Sequence, residues 1–262
     1  VRALFPMLIA ISIYSGVIAF LELEVWELSK NSYVRNLPLL HNLLGFVLSL
    51  LLVFRTNTAY DRWWEGRKLW GALVNNSRSL AIKLNAYLPD EDETNRYQFK
   101  RLIIAYANAL RNHLSSEGTR LELDSEEHPE LTSLDKTKHV PNQVSSLISK
   151  KINRLYKEGK ITGDQLITLN PELTSFAEIC GACERIKNTP IPFSYSVFVK
   201  KFIFFYIMSL PFGFVFNLGY YVIPVVAFIF FVLASLELIA EEIEDPFDGD
   251  SNDVPTEKIS KG

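Results

Sequence analysis

Residues 39–54 read LLHNLLGFVLSLLLVF, and residues 55–71 read RTNTAYDRWWEGRKLWG. The first block carries no charged side chain and stops at Arg55. The second brings Arg55, Arg62, Arg67 and Lys68. An apolar run closed by Arg and Lys is the pattern of a helix leaving hydrocarbon on the cytoplasmic side. Trp63, Leu69, Trp70, Leu73, Leu80 and Leu84 then recur at helical spacing. The same helix is therefore expected to run on past the membrane and to stop near Pro89.

Three further apolar runs lie at 4–23, 202–216 and 220–236. A helix crosses the hydrocarbon layer with about 20 residues. The runs at 4–23 and 220–236 reach or approach that length. Those at 39–54 and 202–216 are short for a lone span and are expected to face protein or a water-filled path for part of their length. Lys200 and Lys201 precede the third run. The link 22–38 is dominated by Glu22, Glu24 and Glu27, and the link 217–219 carries no charge. Counting Lys and Arg near the runs gives an in–out–in–out–in path with both termini cytoplasmic, in an inner or plasma membrane.

Between the second and third runs the chain is polar and helical in pattern. Asp92 or Thr94 can cap a helix carrying Phe99, Leu102, Ile103, Tyr106 and Leu110. Residues 115–141 are rich in turn formers and read as a loop. Two more helices are expected over 143–158 and 162–187, divided at Gly159-Lys160, with Pro190 and Pro192 redirecting the chain to the membrane. The predicted fold is all-α and integral to the membrane, with four transmembrane helices and a helical cytoplasmic domain. Its organisation is 1–54, 55–192 and 193–240, with an acidic C-terminal segment over 241–262.

Hydrophobic residues make up 48% of the chain and charged residues 22%, bunched rather than interleaved. A net charge of -3 gives no pull towards nucleic acid, and two cysteines close together exclude a disulfide scaffold. The chain opens on Val1, so earlier residues are expected. Its first apolar run is too long for a secretory signal peptide and lacks a small-residue cleavage site. No glycine loop for a nucleotide, nucleophile–base pair or catalytic metal motif is present, which argues against an enzyme.

Three stretches together resemble the bestrophin family. They are Phe54 to Gly71, then Cys183-Glu184-Arg185 with Thr189-Pro190-Ile191-Pro192-Phe193-Ser194-Tyr195, and Ala240 to Phe247. Their order and spacing among the apolar runs cover nearly the whole chain and resemble the short prokaryotic branch. The resemblance implies a homopentamer with one central pore lined by the second helix, partnered by permeant ions and lipid.

Phe46, Leu50 and Phe54 sit at i, i+4 and i+8, one slowly turning stripe of a helix. Five such helices would stack three apolar rings, which resist wetting and can gate without charge. Phe edges turned to the axis slightly favour anions. The resemblance assigns these three positions to the pore neck; without it they read as core or lipid-facing residues. Gly45 and Ser49 are small enough for close helix approach. The family's second constriction, at the cytoplasmic mouth, falls on Asp164, or on Ile161 or Leu166 in a neighbouring register. Five aspartates there would favour cations. Alternatively, Asp164 stabilises a helix N-terminus.

Seven acidic residues crowd 241–253. The spacing is not that of an EF-hand. It resembles the family's calcium clasp, which implies Glu242, Asp245, Asp250 and Asp253 as ligands of a regulatory Ca2+, with no other cofactor required. The other reading is a solvated acidic tail.

The expected function is passive conduction of small monovalent ions, leaning to chloride. The alternatives are a monovalent-cation channel of the same family, or a membrane redox protein using the C-x-x-C pair Cys180 and Cys183. That pair sits inside a predicted helix with no strand before it, which favours small packing residues over a redox site. His41, His113, His128 and His139 show no metal-ligand spacing, and His113 reads as a helix-packing residue. Arg55 and Arg62 can gather anions or pair with Asp61 or Glu65. Trp63, Trp64 and Trp70 suit an interfacial belt or subunit packing.

Overall fold

The computed structural model describes residues 4–26, 37–115, 135, 138–250 and 252–261. All regular elements among them are helical: α1 (Phe5–Phe20), α2 (Leu37–Tyr87), α3 (Glu93–Leu114), α4 (Val140–Lys157), α5 (Gly163–Asn188), α6 (Phe193–Leu218), α7 (Val222–Glu244) and α8 (Thr256–Lys261). Glu27, His128 and most of the expected loop 115–141 lie outside the described residues.

The chain divides into two compact units, one built from 1–61 and 190–244, the other from 62–189 and 245–262.

In the first unit, α1 packs on α6 and α7, and α6 packs on α7. The first part of α2 joins them through Leu48 and Leu52, buried with Val199, Ile207, Val222 and Val226. A π-helical turn, Leu21–Val25, extends α1. Three apolar stretches are long enough to cross a membrane: Phe5–Val25, Leu37–Tyr87 and Phe193–Glu244. The last contains α6 and α7, joined at Gly219, whose φ of +53° turns the chain.

The second apolar run continues as expected into one long helix, α2, of 51 residues that ends at Tyr87 just before Pro89. The reading of the third run is corrected here. It is not short: it belongs to a helix of 26 residues, about 39 Å at 1.5 Å per residue. Lys200 and Lys201 do not precede α6 but lie within it. Nothing between Pro192 and Lys200 breaks a helix, and Lys200 is held by Glu241 at 2.7 Å. Gly45 does permit a close helix approach, to α6 of the same chain: a Cβ there would lie 2.7 Å from the Tyr206 hydroxyl.

In the second unit, α3 packs on α4, α5 and α8, and α4 packs on α5. Trp70, Leu73, Leu80 and Leu84 of α2 enter a shared core with Tyr106, Ile148 and Phe176. Trp70 is thus a core residue and not part of an interfacial belt. Asp92 caps α3 by accepting from Asn95 N–H at 3.3 Å, and Lys160 pairs with it at 2.8 Å. Gly159, at φ +71°, makes the break between α4 and α5, and Thr162 with Gln165 forms a capping box that starts α5. α4 begins at Val140, earlier than expected, because Pro141 suits its first turn.

The C-terminal segment is not a solvated tail. Phe247 is buried, and with Pro246 it lies where a Cβ on Gly66 would stand, at 3.0 to 3.2 Å. Trp63 Nε1–H donates to Asn252 O at 2.9 Å, and Val254 N–H donates to Pro246 O at 3.0 Å.

Candidate functional site: the outer face of α2 and its flanking polar groups

Within the first unit, α2 buries one stripe: His41, Leu48, Leu52, Arg55 and Ala59. At about 100° per residue these positions fall on a single side. Phe46, Leu50 and Phe54 fall on the opposite side, 63%, 44% and 63% exposed. Among the described residues, no helix of their own unit covers them. Ser49 Oγ–H turns back to donate to Gly45 O at 2.8 Å.

Directly after Phe54 the helix changes character. Arg55 is 1% exposed, its Nη1 is 2.6 Å from Glu244 Oε2, and its Nε is 3.6 Å from Glu237 Oε1. Glu244 also accepts from Ile191 N–H at 2.7 Å. The expectation that Arg55 or Arg62 pairs with Asp61 or Glu65 is therefore corrected. Arg55 binds α7. Arg62 donates to the carbonyls of Ile186 and Thr189. Glu65 pairs with Arg185 at 2.6 Å. Helix periodicity favoured close partners, whereas tertiary packing supplied distant ones.

In the second unit, Asp164 is exposed in the first turn of α5. Of the neighbouring registers, Ile161 is buried in the core and Leu166 packs against it. Ile167 is 70% exposed on the same side as Asp164, one turn on. Sequence reasoning passed over it; the signal is an isoleucine facing outward from a capped first turn.

Glu242 lies in the last turn of α7. After it, Gly249 at φ +103° folds the chain back, and the N–H groups of Gly249 and Asp250 donate to Asp253 Oδ2 at 2.7 and 2.8 Å. Asp253 Oδ1 is buried without a hydrogen bond. Burial raises the Asp253 carboxyl above its ordinary range, and the charges of Asp250 and Asp245 add to the rise. Burial likewise raises Asp245.

Cys180 and Cys183 are buried free thiols in mid-α5, and burial pushes both up to about 12. Neither is a thiolate at neutral pH, so the redox alternative finds no nucleophile. The histidines depart from expectation. His113 and His139 both reach Glu184, an arrangement that sequence spacing hid because three different helices bring it together.

The family model for Bacterial/Fungal Bestrophin protein matches residues 1–262. The chain belongs to that family. Among bestrophin relatives, a voltage-dependent anion channel-forming protein of Nostoc sp. is 36% identical, over 87% of this chain and 77% of its own length. One of Synechocystis sp. is 35% identical, over 87% and 76%. A crystal structure of a bacterial bestrophin homologue from Klebsiella pneumoniae, in point-mutant form, superposes with a TM-score of 0.87 at 26% identity. It covers 99% of this chain and 95% of that one. This bestrophin is accordingly an all-helical membrane protein of a channel family and not an enzyme.

Proposed function

We propose that this bestrophin is one subunit of a passive ion channel, assembled as a homopentamer with α2 around the axis. Phe46, Leu50 and Phe54 form its neck. The observation that carries this reading is the apolar row on α2, diametrically opposite the stripe that α2 buries in its own unit. A ring of such rows excludes water when narrow and conducts when splayed. α1, α2, α6 and α7 serve as four spans, and both termini lie in the cytoplasm. α6 and α7 each have the length for a crossing.

The permeant ions are small monovalent anions. The related proteins named for forming anion channels support this, as does the weakly positive edge of each Phe ring. A salt gradient across a planar bilayer containing the purified protein tests it. The reversal potential should fall near the chloride equilibrium value; a value near that of potassium would reject it. One observation favours the cation alternative: Asp164 is exposed at the start of α5, where a ring of five would attract cations. Asp164 and Ile167 are the proposed cytoplasmic aperture. Replacing Asp164 with Asn should leave an anion reversal potential unchanged.

Calcium is the proposed regulatory ligand. Asp253 supports this reading: it is half-buried with one orphan oxygen and feels the charges of Asp250 and Asp245, a strain that a divalent cation would relieve, although the three carboxylates do not converge at ligating distance of one another in the structure. The family resemblance adds Glu242. When bound, the ion would supply positive charge to the C-terminal segment. Chelation should change the current, and Asp250→Ala with Asp253→Ala should remove that response. A current indifferent to chelator in the unaltered protein would reject the proposal.

A further inference from the structure

Three side chains far apart in sequence meet in the second unit. His113 lies in the last turn of α3, His139 is the N-cap of α4, and Glu184 lies in α5. Each histidine Nε2 stands 2.6 Å from Glu184 Oε1, and the two rings are 4.5 Å apart. The three ligating atoms lie within 4.8 Å of one another. Among the described residues this is the only such trio of His, Cys, Asp or Glu.

We propose that His113, His139 and Glu184 form a binding site for a divalent transition-metal ion, zinc by preference. Two imidazole nitrogens and one carboxylate oxygen are the donors zinc takes when it keeps a fourth position for water. Calcium and magnesium require more oxygens than this site holds. The site is therefore distinct in chemistry from the acidic C-terminal segment.

The donors already converge: both histidine Nε2 atoms address the same Glu184 oxygen. Ligands to one tetrahedral zinc, at about 2.0–2.1 Å each, stand about 3.3 Å apart. The present nitrogen–oxygen contacts of 2.6 Å would open by roughly 0.7 Å, a matter of side-chain rotation. All three residues are half-buried, which leaves an entry path.

One internal cost is visible. His139 Nδ1 accepts from Asn142 N–H at 3.2 Å, so the ring proton sits on Nε2, directed at Glu184. Metal bound through Nε2 moves that proton to Nδ1, and Asn142 N–H loses its acceptor. The ion would thus exchange a helix cap for a clasp linking α3, α4 and α5. It should raise the stability of the unit because it binds the folded state alone.

The test uses the full chain, purified in detergent and stripped with chelator, at pH 7.5. Zn2+ alone should bind one ion per chain and raise the melting temperature. Co2+ alone should give the intense visible bands of a four- or five-coordinate nitrogen–oxygen site. His113→Gln keeps an amide donor towards Glu184, and His139→Asn keeps a capping side chain. Each should weaken Zn2+ binding at least about tenfold, and so should Glu184→Gln. A wild-type Co2+ spectrum matching the free aqua ion would overturn the proposal, whatever the variants do. So would a folded His113→Gln protein that binds Zn2+ as tightly as wild type.

Discussion

Arg55 Nη1 lies 2.6 Å from Glu244 Oε2, and the guanidinium is almost wholly buried. The contact is close but not aligned as a hydrogen bond, so charge attraction carries it. Glu237, two turns earlier on α7, approaches the same guanidinium at 3.6 Å. The residue that ends the apolar part of α2 is thereby fixed to α7. Breaking a buried pair strands its partner without compensation, so Arg55→Ala should cost about 3–5 kcal/mol. Arg55→Lys keeps the charge without the planar fork and should fall between. Thermal unfolding in detergent, run as a double-mutant cycle with Glu244→Ala, measures the coupling.

Gly213 of α6 faces the buried His41 ring. A Cβ there would stand 2.8 Å from Nδ1 and 3.2 Å from Leu37 Cβ. His41 cannot easily yield, because its Nε2 is 2.9 Å from Ser209 Oγ. Gly213→Ala should destabilise the first unit by about 1–3 kcal/mol through overpacking. Adding His41→Ala should recover part of the loss, read from the temperature at which monodisperse protein disappears.

Asp92 links the N-cap of α3 to Lys160. Hydrogen bonds from Lys160 and Asn95 depress its carboxyl to about 2. A folded-state value below the ordinary 3.8 means the contribution is full above that pH and is lost as pH falls through about 2. Asp92→Ala should lower stability by about 1 kcal/mol at neutral pH. The gap from wild type should close towards pH 2, measured by urea unfolding across that range.

Cys180 and Cys183 should resist thiol reagents in the folded protein and react on unfolding, since burial raises both thiols. Replacing both with Ala should leave the current unchanged. A lost current would reinstate the redox alternative.

Helix identity was legible wherever periodicity acts locally. The continuation of α2 could be read from Trp63, Trp70 and Leu80, the stop from Pro89, and the α4–α5 break from Gly159. The start of α6 at Phe193 could be read from Pro190 and Pro192, but its full length was hidden because Lys200 and Lys201 mimic a membrane boundary, while Glu241, which pairs with Lys200, stands far along the chain. The same distance concealed Glu244 from Arg55 and Glu184 from the two histidines. An apolar row such as Phe46, Leu50 and Phe54 is visible in sequence, but only packing reveals that it lies opposite the buried stripe.

Leu50 is the midpoint of that row. With Leu50→Cys placed in a background lacking Cys180 and Cys183, a charged, water-borne thiol reagent should abolish the current across a planar bilayer. A residue turned to lipid would be out of that reagent's reach, and a current that persists unmodified would contradict a pore lined by this face of α2.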